Sequence, residues 1–138
     1  MRRRPSGVVL LVAAGLIFGS LPRPASAEWT LLIATDASDW YADETLTRKR
    51  GTMAKVWSLQ DYQATQPLYD GQYHSMKMQA EIRCHSDEWR VLYFSYYSGR
   101  MGTGKQLYVQ ETAGPWKRVD PGGYTRALFD AGCHPAPH

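Results

Sequence analysis

The sequence predicts an α+β domain: an antiparallel meander of about six strands, with one C-terminal helix packed on it and tied to it by a disulfide. Three observations predict it. Residues Tyr73–Cys84 alternate polar and apolar almost strictly, the pattern of a strand with one buried and one wet face. Turn-forming Gly, Asp and Pro recur between similar runs, which suits hairpins. After Pro121-Gly122-Gly123 the apolar spacing becomes that of a helix, and a cysteine closes each of the two most regular segments, Cys84 and Cys133.

The first 27 residues stand apart. Arg2, Arg3 and Arg4 precede an apolar run, Val8–Leu21, and Pro22-Arg23-Pro24 leads into Ala25-Ser26-Ala27. A basic start, a short apolar run and an Ala-x-Ala site form an export signal, cut between Ala27 and Glu28. A retained anchor is the alternative, for which the run is short. Removing four arginines from a net charge of +3 leaves the remainder at −1. A near-neutral domain of this kind has no electrostatic basis for holding nucleic acid, and no membrane span is expected after processing. The domain is assigned to residues 28–134, with 135–138 as a disordered tail.

The elements follow in order. Glu28–Thr35 alternates, with Trp29, Leu31 and Ile33 on one face. Asp36–Asp43 is polar and reads as a loop or short turn. Glu44–Arg50 and Thr52–Tyr62 flank Gly51 as a hairpin, with Met53, Trp57 and Leu59 on one side and Ala54 and Val56 on the other. Pro67 and Asp70-Gly71 mark Gln63–Gln72 as a connection. In Tyr73–Cys84 the core face collects Met76, Met78, Ala80, Ile82 and Cys84; Tyr73, Ser75, Lys77, Gln79, Glu81 and Arg83 share the wet one. Trp89–Tyr97 is a strand aromatic on both faces, and the Gly-rich turn Ser98–Gly104 leads to another strand, Lys105–Thr112. Trp116–Val119 adds a short strand. Thr125 caps a helix running to Ala131, with Gly132 as its stop.

The nine tyrosines and five tryptophans suit a half-exposed sheet, because they bury large area and keep a polar tip. In an exported chain two cysteines have one possible pairing, which would contribute about 4 kcal/mol by closing a loop of about 50 residues. A metal site drawn from Cys84-His85 and Cys133-His134 is the alternative. It is disfavoured because neighbours along a strand point to opposite faces.

Other motifs carry little chemistry. Gly99-Arg100-Met101-Gly102-Thr103-Gly104-Lys105 has phosphate-loop spacing, but Gln106 follows in place of Ser or Thr, and the next segment reads as strand. His74-Ser75 cannot act as a pair from opposite faces. His85 beside Asp87-Glu88 reads as a solvated turn, and His134–His138 as a tail rather than a metal ligand set. No catalytic residue, cofactor or metal is expected, and the chain reads as a binding module. The candidate binding residues are the basic tip Arg48-Lys49-Arg50 and a patch of Tyr96, Tyr97, Arg100 and Lys105. Exposed aromatic surface marks interaction sites.

One resemblance spans nearly the whole processed chain. Trp29, Arg50-Gly51, Lys55-Val56-Trp57-Ser58-Leu59-Gln60-Asp61-Tyr62, Tyr73-His74-Ser75, the strand ending in Cys84, the aromatic strand through Tyr93, Trp116-Lys117-Arg118-Val119-Asp120-Pro121-Gly122 and Cys133-His134-Pro135 resemble the surface-adhesin protein E-like family of Gram-negative bacteria. The resemblance implies a six-stranded antiparallel sheet, a helix held to its concave side by a disulfide, and pairing as a homodimer. It also implies a protein partner of the extracellular-matrix kind, such as vitronectin or laminin. Only Cys84 and Cys133 carry over from the family's pattern. No cysteine lies near the predicted cut, so the family's lipid anchor is not expected here. The expected location is the periplasm or the cell surface. The rival reading is an envelope protein that self-associates through its sheet.

Overall fold

A computed structural model describes Gly15 and residues 28–135. The expected leader, its cut after Ala27 and the tail beyond Pro135 lie outside these residues, Gly15, Glu28 and Pro135 apart. The strands are β1 (Trp29–Ala34), β2 (Ser38–Asp43), β3 (Arg48–Arg50), β4 (Met53–Leu68), β5 (Gly71–Arg83), β6 (Glu88–Tyr97), β7 (Gln106–Gln110) and β8 (Lys117–Arg118). A 3-10 turn covers Arg100–Gly102, and the helix α1 spans Gly123–Cys133. The sheet runs β1-β2-β4-β5-β6-β7, with β3 on β4 and β8 on β6. All its pairings are antiparallel, so the predicted meander is the observed one.

One face of the sheet meets α1. Trp40 and Ala42 of β2, Ala54 and Val56 of β4, Met78, Ala80 and Ile82 of β5, and Trp89 of β6 form the core with Leu128, Phe129 and Cys133 of the helix. Cys84 and Cys133 are joined, their Cα atoms 5.7 Å apart. The bond consumes both sulfurs, which overturns the metal alternative. The helix starts earlier and ends later than the sequence implied. Gly122 is its N-cap, and Thr125 instead accepts a hydrogen bond from the Asp120 backbone N–H at 3.1 Å. Gly132 is not a stop. It is buried inside α1, where a Cβ would lie 2.8 Å from Val56 Cγ2. The residue therefore serves close approach of helix to sheet.

Four strand assignments also change. Asp36–Asp43 was expected as a loop, yet Ser38–Asp43 is a fully paired inner strand. Its polar groups find partners: Thr35 bonds both the N–H and the C=O of Ser38, and Asp43 accepts two bonds from Thr45. In β1 the register slips between Leu31 and Ile33. Leu31 is therefore exposed, while Leu32 and Ile33 pack on the core. The expected connection Gln63–Gln72 is mostly strand, with the turn confined to Tyr69-Asp70. Pro67 is tolerated because β4 loses its β2 neighbour beyond Tyr62, and on an edge a missing N–H leaves no ladder bond empty. Finally, Ser75 was placed on the wet face of β5 and is fully buried. The turn after β6 folds over it.

Candidate functional site

α1 packs over β1 to β5. The helix-facing side of β6 and β7 is left with a run of aromatic rings. Phe94 pairs with Gln110, and Tyr96 with Tyr108, which sets these rings side by side. Tyr73 stacks on Tyr96 with centroids 4.1 Å apart, and Tyr62 meets Tyr73 edge-on at 5.5 Å. Tyr108 closes the ladder at 5.9 Å from Tyr96 and 5.7 Å from Phe94. Between this ladder and the helix lies a groove of about 370 Å³, floored by Met76, Met78 and Val91 and walled by Phe94, Tyr96 and Tyr124. Trp40 stacks flat on Tyr124 at 4.0 Å, closing the helix end. Burial pushes the phenols of Tyr62, Tyr96 and Tyr124 above their ordinary range; beside Tyr124, the Asp120 carboxylate adds to the effect.

The structure scatters the candidate binding residues. Arg48, Lys49 and Arg50 lie exposed on β3, but the cluster folds back on its own chain. Lys49 Nζ donates to the Cys133 carbonyl at 3.1 Å. Arg48 Nη1 donates to the carbonyls of Thr45 and Thr47 at 2.8 and 2.9 Å. Tyr96 and Tyr97 are neighbours on a strand, so they face opposite ways; Tyr96 joins the ladder, and Tyr97 lies under Lys77 on the other side. Arg100 pairs with the buried carboxylate of Asp61 at 2.8 Å, and those hydrogen bonds push its guanidinium pKa up. Lys105 is exposed. The basic tip pairs with the Met53 end of β4, whereas Arg100 binds Asp61 eight residues along that strand, roughly 27 Å away at strand rise. The two groups therefore cannot act as one patch.

The Gly99–Lys105 turn holds no phosphate cradle. Asp61 Oδ1 takes the Met101 N–H at 2.7 Å and Ser75 Oγ takes the Gly102 N–H at 2.8 Å. The donors a phosphate would need are thus committed to the protein. Met101, Gly102 and Gly104 have φ of 53, 70 and 78°, a conformation that favours glycine at the last two. His74 and Ser75 are not brought together: Ser75 Oγ donates to the Gly99 carbonyl at 2.6 Å, while His74 Nε2 is buried without a hydrogen bond. Among the described residues no cluster of three or more His, Cys, Asp or Glu is placed to hold a metal, and no helix is long and apolar enough to cross a membrane.

The described residues thus form an antiparallel sheet with one helix disulfide-bonded over part of one face, and the aromatic run lies on the part of that face beyond the helix. Residues 29–134 match the surface-adhesin protein E family, and the chain belongs to that family. Among solved structures, crystal form II of Haemophilus influenzae protein E superposes with a TM-score of 0.59 at 9% identity, covering 80% of this chain and 97% of that one. Protein E from non-typeable Haemophilus influenzae gives 0.59 at 10% identity, covering 83% and 82%. At such identities the likeness establishes the fold. No curated protein matches the chain by sequence. The family is one of exported or surface proteins whose role is binding.

The ladder was only partly legible beforehand. Tyr96 was singled out, but Tyr62, Tyr73, Phe94 and Tyr108 were not, although strand pairing could have linked Tyr96 to Tyr108. Asp61 stood out only as part of the Lys55–Tyr62 run that carries the family resemblance, and nothing there marked it as the anchor of the turn.

Proposed function

We propose that this protein is an exported, non-catalytic module that binds another protein through the aromatic ladder of Tyr62, Tyr73, Phe94, Tyr96 and Tyr108. The ladder carries the reading: it is a contiguous aromatic surface on the half of the sheet the helix does not cover. Aromatic side chains at the centre of a contact supply most of its energy for little lost rotamer freedom. Family membership favours an extracellular-matrix protein as the partner, with residues 1–27 removed on export and residues 28–134 acting as the domain. Surface plasmon resonance of the processed chain over immobilised vitronectin and laminin tests this. Micromolar binding that Tyr96→Ala abolishes and Arg50→Glu spares supports it; no binding at those concentrations overturns the matrix assignment.

A second reading is self-association through the sheet, as a homodimer. The outer strand β7 favours it, with Tyr108 43% and Val109 41% exposed on an unpaired edge, because open edges accept a further strand. Analytical ultracentrifugation decides: a strict monomer at high micromolar concentration removes the dimer.

A further inference from the structure

The face turned away from α1 carries a separate cleft of about 270 Å³, lined by Trp29, Asp43, Leu46, Trp57, Lys77, Tyr93 and Tyr97. Strand register builds it. Trp29 pairs with Asp43, and Trp57 pairs with Gln79, which in turn pairs with Tyr93. Trp57 and Tyr93 meet edge-on with centroids 5.3 Å apart. Leu46, from the loop after β2, is half exposed at the rim.

Two charged groups line this aromatic enclosure without pairing. Lys77 is half-buried, and its Nζ rests over the Tyr97 ring at 4.9 Å. It makes no ion pair among the described residues. Asp43 is 1% exposed. Its Oδ1 is satisfied by the Thr45 N–H and hydroxyl at 2.9 and 2.6 Å, whereas its Oδ2 is buried with no hydrogen-bond partner. A buried carboxylate oxygen without a donor is costly and calls for an explanation. Lys77 offers donors to an anion, Asp43 lacks a donor, and the rings suit an apolar body or a cation held over their faces.

We propose that this cleft binds a free α-amino acid with an aromatic or branched apolar side chain. The carboxylate pairs with Lys77, the ammonium lies toward Asp43, and the side chain packs against Trp57, Tyr93 and Leu46. The volume lies just under the roughly 300 Å³ at which clefts begin to take drug-sized ligands, which limits the occupant to something the size of one residue. This site is on the opposite face from the ladder, so it stands or falls independently of the protein-binding role.

Titration calorimetry and tryptophan fluorescence of the disulfide-bonded protein test it with four probes: L-phenylalanine, L-leucine, 3-phenylpropionate and 2-phenylethylamine. Saturable binding of the two amino acids is expected. Phenylpropionate, which lacks the ammonium, and phenylethylamine, which lacks the carboxylate, should each bind about tenfold or more weakly, as expected for one lost charged contact. Lys77→Met keeps the packed stem and should weaken phenylalanine about tenfold while sparing phenylethylamine. Tyr93→Ala should weaken both. The proposal is overturned if neither amino acid binds up to about 10 mM, if phenylpropionate binds as well as phenylalanine, or if Lys77→Met changes nothing.

Discussion

Replacing Gly132 with alanine should destabilise this protein, although alanine is the better helix former. The added methyl would sit 2.8 Å from Val56 Cγ2, and 3.1 Å from both Ala54 Cβ and Ile82 Cδ1. Comfortable carbon contacts lie near 3.5–4.0 Å, so α1 or the sheet must give way by several tenths of an ångström. Val56 has little freedom to yield: it is fully buried, and its branched side chain has a stiff χ1. The helix is no freer, because the next residue, Cys133, is bonded to Cys84. Overpacking of this kind costs about 1–3 kcal/mol, and helix propensity returns at most about 1 kcal/mol. The net expectation is a loss of about 1 kcal/mol, read as a fall in Tm of about 4–8 °C by circular dichroism. Gly132→Val should lose more. In a Cys84→Ser/Cys133→Ser background the helix is free to shift, so the alanine penalty should shrink, giving a coupling of at least about 0.5 kcal/mol in the double-mutant cycle. Gly132→Ala at or above wild-type Tm would refute the close-approach reasoning.

Cys133→Ser should lower stability by about 4 kcal/mol, the chain-entropy value for a loop of 49 residues; a loss under 1 kcal/mol by urea unfolding would mean that packing alone holds α1. Asp61→Ala should release the Gly99–Gly104 turn, seen as faster hydrogen exchange at the Met101 amide, and Ser75→Ala should do the same at Gly102. Unchanged protection in both would show that the turn is held by its own backbone. Burial holds the Tyr62, Tyr96 and Tyr124 phenols above their ordinary 10.0. Their neutral forms are favoured in the fold, so this stability is complete below about pH 10 and is lost as pH rises beyond it, where the unfolded chain gives up its phenolic protons first. Tm should therefore fall above that pH, less steeply in Tyr62→Phe; a flat Tm through pH ~11 contradicts it.

Reading from the sequence succeeded where one local pattern matched one environment. β5 is the clearest case: Met78, Ala80 and Ile82 alternate with polar residues and are buried as that alternation requires. It failed where a polar residue is satisfied by something distant in the chain. Ser75 looked solvent-facing because its partners, Gly99 and Gly102, lie 24 and 27 residues away. Ser38–Asp43 looked like a loop because Ser38 and Asp43 are satisfied by short turns on either side. The structural ties of the candidate binding residues were hidden for a third reason. Arg48, Lys49 and Arg100 are charged and exposed in sequence terms, yet each already serves the fold.

The chain's own pattern determined the antiparallel meander, the closing helix and the pairing of its two cysteines. Each depends on periodicity, turn chemistry or a count that allows one solution. Only the folded molecule decided that Gly132 is a contact point, that rings from β4 to β7 join into a ladder, and that Asp43 and Lys77 line one cleft. Those outcomes depend on which strands become neighbours and in what register, and burial of a side chain depends on what packs over it rather than on its own polarity.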